Sequence, residues 1–157
     1  MKSSFYKPAQ TVLITSRFYG KDNVMAADWH MPVSFEPNLY AIAVGKTRYT
    51  RDLIHKSKVF AVNFIPFKMS DDVLNAGSVS GKFKDKFREF KIRKENCSSI
   101  DCCYVKDASA FIECEVIQEI DAGDHVIFVG QVIKEKELND EKRLFHKADG
   151  SFTTTIH

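Results

Sequence analysis

Short apolar runs broken by turn residues dominate this chain, and their spacing reads as strands more often than as helices. Thr11-Val12-Leu13-Ile14-Thr15 follows Pro8 and stops at the turn-rich FYGKDN of residues 18–23, which predicts a strand and then a loop. Residues 38–44 (NLYAIAV), bounded by Pro37 and Gly45, predict a second strand, and 59–64 (VFAVNF), ended by Pro66, a third. Between them Thr50 is a suitable N-cap and Asp52 suits the first turn, so 51–57 is expected as a short helix. Residues 70–77 carry a helical pattern. Farther on, 110–117 alternates as a half-buried strand, 121–124 (DAGD) is a hairpin turn, and 125–134 (HVIFVGQVIK) returns as another strand.

The remaining segments are less regular. SVSGKFKDKFREF (78–90) opens as a Ser/Gly loop and turns into a charged segment with Phe83, Phe87 and Phe90 on one helical face, for which core packing is the plainer reading. Residues 134–143 read as a solvated connection, and the polar tail from His146 onward predicts no element beyond a Gly turn. At least five strands with short helices and no regular βα alternation argue for a mainly β protein, an antiparallel barrel or sandwich with inserted helices. There is no internal repeat and no Gly/Pro/Ser-rich linker.

Composition narrows this picture little. The 157 residues suit a single domain (1–157) with its own core. With 44% hydrophobic and 28% charged residues the chain falls in the ordinary globular range, and thirteen Phe lean it further towards β structure. A net charge of +2, with basic and acidic residues interleaved, does not suggest a nucleic-acid partner. No apolar run approaches the roughly 20 residues of a membrane span, and MKSSFYKPAQ has no hydrophobic secretory core. Four cysteines (Cys97, Cys102, Cys103 and Cys114) show no CxxC pair and no zinc spacing, so no metal is expected and they read as reduced thiols of a cytoplasmic protein.

The usual enzyme signatures HExxH, GxSxG and GxGxxG are absent. Four stretches carry unusual residue choices instead. VGKTRYTRD (44–52) shares GKT with the P-loop, but that motif needs a glycine where Tyr40 stands. Its Lys46, Arg48, Thr47 and Thr50, ahead of a helix N-terminus, are still the parts of an anion site, evenly balanced against an exposed polar turn. NVMAADWHMPVS (23–34) sets small residues beside the only Trp, then His30, which suits either a planar ligand approaching the backbone or a Trp that pins a loop. SVSGKFKDK (78–86) is a second phosphate-facing loop or a solvated basic turn. His125, at the exit of the Gly123-Asp124 turn, either positions a redox ligand or is an ordinary surface histidine.

Taken in order, these pieces resemble the flavin reductase-like, FMN-binding split-barrel family. The order runs from the strand VLITS through the turn ending at Asn23, AADWHMPVSFEPN, LYAIAVGKTRYT, KVFAVNFI, SVSGKFKDKF and AFIECEVI to AGDHVIFVGQVI, over about residues 8–135. The form NVMAADWH is similar to the flavoredoxin and ferric reductase branch. The resemblance implies an antiparallel split β-barrel with short inserted helices, FMN as cofactor, and a homodimer with the flavin near the subunit interface. It also implies an oxidoreductase that takes electrons from NAD(P)H or a redox protein and passes them to a flavin, a ferric chelate or another acceptor. The alternative is a non-enzymatic FMN electron carrier serving a protein partner. By the same resemblance, Asn23, at the end of the turn, is cofactor-binding, and Ala26, Ala27, Asp28 and Trp29 line the isoalloxazine ring, largely through backbone groups. Gly45, Lys46, Thr47, Arg48 and Thr50 hold the phosphate, Ser78, Val79, Ser80 and Lys86 close over it, and His125 stands at the reactive face. The tail shows no obvious aromatic partner where some relatives place one over the flavin.

Overall fold

The computed structural model describes residues 4–156. After a two-residue strand β1 (Ala9–Gln10), β2 (Val12–Phe18) and β3 (Lys21–Ala27) form a hairpin whose turn is only Tyr19-Gly20. Both turn residues have positive φ, 49° and 74°, the geometry whose twist matches that of the flanking strands. The loop expected over 18–23 is therefore shorter, and the stretch 23–34 is not a loop. It is the rest of β3, a bend at Asp28-Trp29, and β4 (His30–Ser34). The tight turn lets β3 pair with β2 all the way from Phe18↔Lys21 to Val12↔Ala27.

β5 (Leu39–Gly45) leads into α1 (Tyr49–Ser57), and β6 (Val59–Phe64) follows. The helix starts earlier than expected: Arg48 is the N-cap residue and makes no side-chain cap, while Thr50 lies inside the first turn. A 3-10 turn over Phe67–Met69 introduces α2 (Ser70–Ser78). The Phe83–Phe90 face is also corrected. Asp85 accepts a hydrogen bond from the Arg88 N–H and starts α3 (Lys86–Glu89) after Phe83, which is left 83% exposed, while Phe87 is buried and Phe90 partly so. β7 (Lys94–Asn96) and β8 (Cys103–Val105) form a separate hairpin. The long pair β9 (Ala110–Ala122) and β10 (His125–Glu137) extends beyond expectation at both ends, so that 134–137 is strand rather than connection. In the tail, β11 (Phe145–His146) and β12 (Phe152–Thr153) join β1 in a small sheet.

The main sheet runs β3-β2-β6-β9-β10-β5-β4, with every pairing antiparallel. Its two edge strands, β3 and β4, are consecutive in the chain and separated only by the Asp28-Trp29 bend. The sheet must therefore curl until its edges meet at that bend, which makes a barrel split along one seam. Inside lie Val12, Ile14, Ile42, Val44, Phe60, Val62, Ile112 and Phe128, with Ile54 of α1. A second cluster, on the other face of β2 and β3, packs Leu13 and Val24 against α2, α3 and β8 through Val73, Ala76, Phe87 and Val105. Burial of β2 on both faces explains why its apolar run does not alternate. Among the described residues no helix is long and apolar enough to cross a membrane.

The barrel interior is tight at Gly130. A β-carbon there would lie 2.7 Å from both Phe60 Cζ and Cys114 Cβ. Gly130→Ala is expected to destabilise the fold by about 1–3 kcal/mol, as overpacked cores do, and denaturant titration checks it.

Candidate functional site

The seam of the barrel carries the chemistry. Five segments converge on a cleft of about 350 Å³: β3, the corner from β5 into α1, the end of α2, the loop after it, and α3. From β3 come Asn23, Met25 and Ala26, from the corner Thr47, Arg48, Tyr49 and Thr50, and from α2 and its loop Ala76 to Gly81, with Lys86 behind. No carboxylate lines this cleft.

Lys86 is buried, and its ammonium donates to the carbonyls of Val24 at 2.9 Å and Ala76 at 2.7 Å. Burial, and secondarily the nearby Arg48 guanidinium, hold its pKa down at about 8. Two cations thus confront each other across the cleft, and among the described residues neither is paired with a carboxylate. Asn23 is buried as well, with its amide Nδ2 donating to the Thr50 hydroxyl at 2.8 Å. This bond makes Thr50 a brace for the wall of the cleft rather than a helix cap. Gly81 sits against the same Asn23: a β-carbon there would come within 1.8 Å of Asn23 Oδ1.

A second depression of about 160 Å³ continues from Ala26 past Ala27, Asp28 and Trp29 to Ala43, Gly45 and His125. The Trp29 and His125 rings lie against each other with centroids 4.6 Å apart. Trp29 donates its indole N–H to the Tyr6 hydroxyl at 3.3 Å, and His125 Nδ1 is 2.6 Å from an Asp124 carboxylate oxygen, so both rings are oriented by a polar contact. A third depression, about 310 Å³, opens from Ala26–Asp28 towards Val73, Leu74, Gly77, His146 and Phe152. The three meet at Ala26 and form one groove, polar and cationic at one end, flat and small-residue in the middle, aromatic at the far rims.

The expected residues do not all gather there. Asn23, Ala26, Thr47, Arg48, Thr50, Ser78, Val79, Ser80 and Lys86 share the first cleft, and Ala26, Ala27, Asp28, Trp29, Gly45 and His125 the second. Lys46 lies in neither: its ammonium pairs with Asp121 near the end of β9, and its N–H donates to the carbonyl of Asp124 on the β9–β10 turn. The Asp28 carboxylate faces Lys7, Thr11 and His146. Burial raises its pKa, but these three hydrogen bonds outweigh burial and leave it below the usual carboxylate value. Asp28 thereby ties β1 and β11 to the end of β3. His30 has both nitrogens engaged, by the Tyr40 hydroxyl at 2.7 Å and the Gln10 carbonyl at 2.8 Å, and is structural.

Sequence reasoning missed Tyr49, Gly81, His146 and Phe152. Tyr49 and Gly81 stood inside quoted motifs, RYT and SVSG, and only the packing distinguishes them from their neighbours. Phe152 is an aromatic residue of the tail that lines the third depression, and a lone Phe between Ser and Thr has no pattern to betray it.

Residues 5–155 match the family described as flavin reductase like domain. An Archaeoglobus fulgidus protein, described as uncharacterized, is 36% identical over 126 residues, covering 80% of this chain and 71% of its own. Among solved structures, flavoredoxin from Methanosarcina acetivorans superposes with a TM-score of 0.90 at 23% identity, covering 100% of this chain and 90% of that one. The FMN-binding protein from Thermus thermophilus, solved with bound 1-cyclohex-2-enone, gives 0.88 at 24% identity, covering 98% and 90%. At these identities the structural likeness speaks for the fold.

Proposed function

The chain belongs to the flavin reductase-like domain family, and from that premise we propose that residues 1–157 are one FMN-binding unit whose groove at the seam holds the cofactor. In this reading it passes electrons from a reduced donor, NAD(P)H, to a flavin, a ferric chelate or another acceptor. The observation that carries the proposal is the confrontation of Arg48 and Lys86 across a cleft without a carboxylate. Two cations brought that close repel, and an anion between them relieves the repulsion. The hydroxyls of Thr47 and Ser80 line the same cleft and add donors for a phosphomonoester, while the Ser78 hydroxyl donates to the Asn75 carbonyl at 2.7 Å.

The small-residue strip from Ala26 to Trp29 lets a planar ring approach the backbone, and Trp29 and His125 bound it on one side. Bound FMN supplies the redox chemistry, accepting a hydride equivalent and releasing electrons singly or in pairs. The chain's own residues anchor and orient: Arg48 and Lys86 hold the phosphate, and Asp124 orients the His125 imidazole through Nδ1. Gly81 keeps Asn23 in place, so Gly81→Ala is expected to weaken FMN binding severalfold while the purified protein still folds, as read by FMN fluorescence and circular dichroism.

A homodimer is part of the same proposal. The outer sheet face beside Trp29 presents Met31 opposite Ala41, and Ala43, Ile127 and Ile120 in one row across three strands. Met31 is 59% exposed, and this apolar patch adjoins the second depression. Light scattering after size exclusion is expected to show a dimer for the wild type and a monomer for Met31→Glu/Ile127→Glu. A cytoplasmic location is proposed on the four free thiols.

The deciding experiment is the visible spectrum of the purified protein followed by an FMN titration under fluorescence. Flavin absorption, or quenching with a dissociation constant below about 1 μM (about −8 kcal/mol), supports the proposal. A colourless protein that does not quench FMN sinks it. NADH oxidation with added FMN then separates a reductase, which turns over, from a carrier, which does not.

A further inference from the structure

Away from the groove, three cysteines stand together where the β7–β8 hairpin meets its connecting loop, residues 97–102. The register pairs Asn96 with Cys103, so Cys97 falls opposite Cys102, and the Cys97 N–H donates to the Cys102 carbonyl at 2.9 Å. Directly opposed antiparallel residues have Cα atoms about 4.5–5.5 Å apart, within the roughly 4.4–6.8 Å that a disulfide spans. The Cys102 thiol interacts with those of Cys97 and Cys103. Cys97 is half-buried, while Cys102 and Cys103 are fully buried. Contact with Cys102 and then burial push the Cys103 thiol up; against a lowering contact with Cys103, contact with Cys97 and burial push the Cys102 thiol up as well, so neither buried thiol opens the exchange. The accessible thiol is Cys97, and the thiol facing it across the hairpin is that of Cys102.

The loop between this pair has a task of its own. The Ser99 N–H donates to Glu113 Oε1 at 2.8 Å, and the Ser98 N–H approaches Oε2 at 3.4 Å. Glu113 is fully buried in β9, so these donors are what a carboxylate in that position needs.

We propose that Cys97 and Cys102 form a thiol–disulfide exchange site, closing the 97–102 loop reversibly when the protein meets a low-molecular-weight disulfide. The Cys97 thiolate attacks one sulfur of that disulfide, forms a mixed disulfide and expels one thiolate. Cys102 attacks the Cys97 sulfur as its proton passes to the second departing sulfur, which leaves as a thiol. Two protein thiols are thereby oxidised, and one external disulfide is reduced to two thiols. Cys103 is excluded as the partner by register, because it faces Asn96. Closure tethers the loop that supplies the Glu113 donors, so the oxidised protein unfolds at the higher temperature.

The test uses the full-length reduced protein and oxidised glutathione. The expected product has lost two hydrogens and carries no glutathione. After proteolysis before Asp101, the Cys97 fragment stays joined to the Cys102 fragment until a reductant is added. Cys103→Ser reacts like the wild type, Cys97→Ser does not form the bridge, and Cys102→Ser stops at a lasting glutathione adduct. A lasting adduct on the wild type, loss of the bridge in Cys103→Ser, or no reaction at all overturns the proposal. The fragment map of Cys103→Ser, in which Cys102 is the only thiol after Asp101 within its fragment, decides the matter even if Cys102→Ser fails to fold. The readout is thiol chemistry alone and is independent of FMN binding.

Discussion

Arg48→Ala is expected to raise the FMN dissociation constant by one to two decades. Charge-assisted hydrogen bonds contribute about 1.5–3 kcal/mol, and about 1.4 kcal/mol is a decade. The side chain is exposed on the corner between β5 and α1 and lines both the first and second depressions, so it reaches the junction of their polar and planar parts. It is in no ion pair among the described residues, and its truncation should leave the thermal unfolding of the FMN-free protein unchanged. Arg48→Lys keeps the charge but loses the planar fork, and should fall between the two. The measurement is a fluorescence titration of all three proteins at one ionic strength. Wild-type affinity in Arg48→Ala would show that this corner does not hold the phosphate.

The second large effect is a pH dependence. Burial and Arg48 lower the Lys86 pKa from its ordinary 10.5 to about 8. Below about 8 the lysine is charged and the phosphate meets two cations. Above it the free protein must take up a proton to bind, so FMN affinity should fall by up to ~tenfold per pH unit. The stability of the FMN-free protein should move the opposite way. Between about 8 and 10.5 the unfolded chain binds more protons than the folded one, so Lys86 contributes stability that rises with pH across that window. Lys86→Met keeps the stem and should bind FMN weakly, with no break near pH 8. Titrations from pH 6.5 to 10 check both signs, and a wild-type affinity that is flat across pH 8 would remove Lys86 from the phosphate site.

The thiol pair and the groove differ in how they reveal themselves. Cys102-Cys103 stood out in the sequence as a feature without a role, yet its partner could not be read there. Cys97 is joined to Cys102 by the register of a hairpin whose strands are three residues each, too short to leave a periodic signal. Lys46 shows the reverse case. Its place in GKT made it as plausible a phosphate ligand as Arg48, but the end of β9 brings Asp121 to its ammonium and turns it away.

What the sequence determined by itself was what local patterning controls: strands at 11–15, 38–44 and 59–64, helices at 51–57 and 70–77, and the order of the motifs that marks the family. These follow from apolar periodicity and turn residues within a few positions of one another. Only the tertiary structure decided that 23–34 is a strand, a bend and a strand, because a two-residue turn set the register for everything after it. Only folding brought Arg48 opposite Lys86, placed Phe152 beside Ala27, and buried the Asn23 amide against Thr50. Those pairings join residues far apart in the chain. They depend on which sheet edges meet when the barrel closes, and no local pattern of residues encodes that closure.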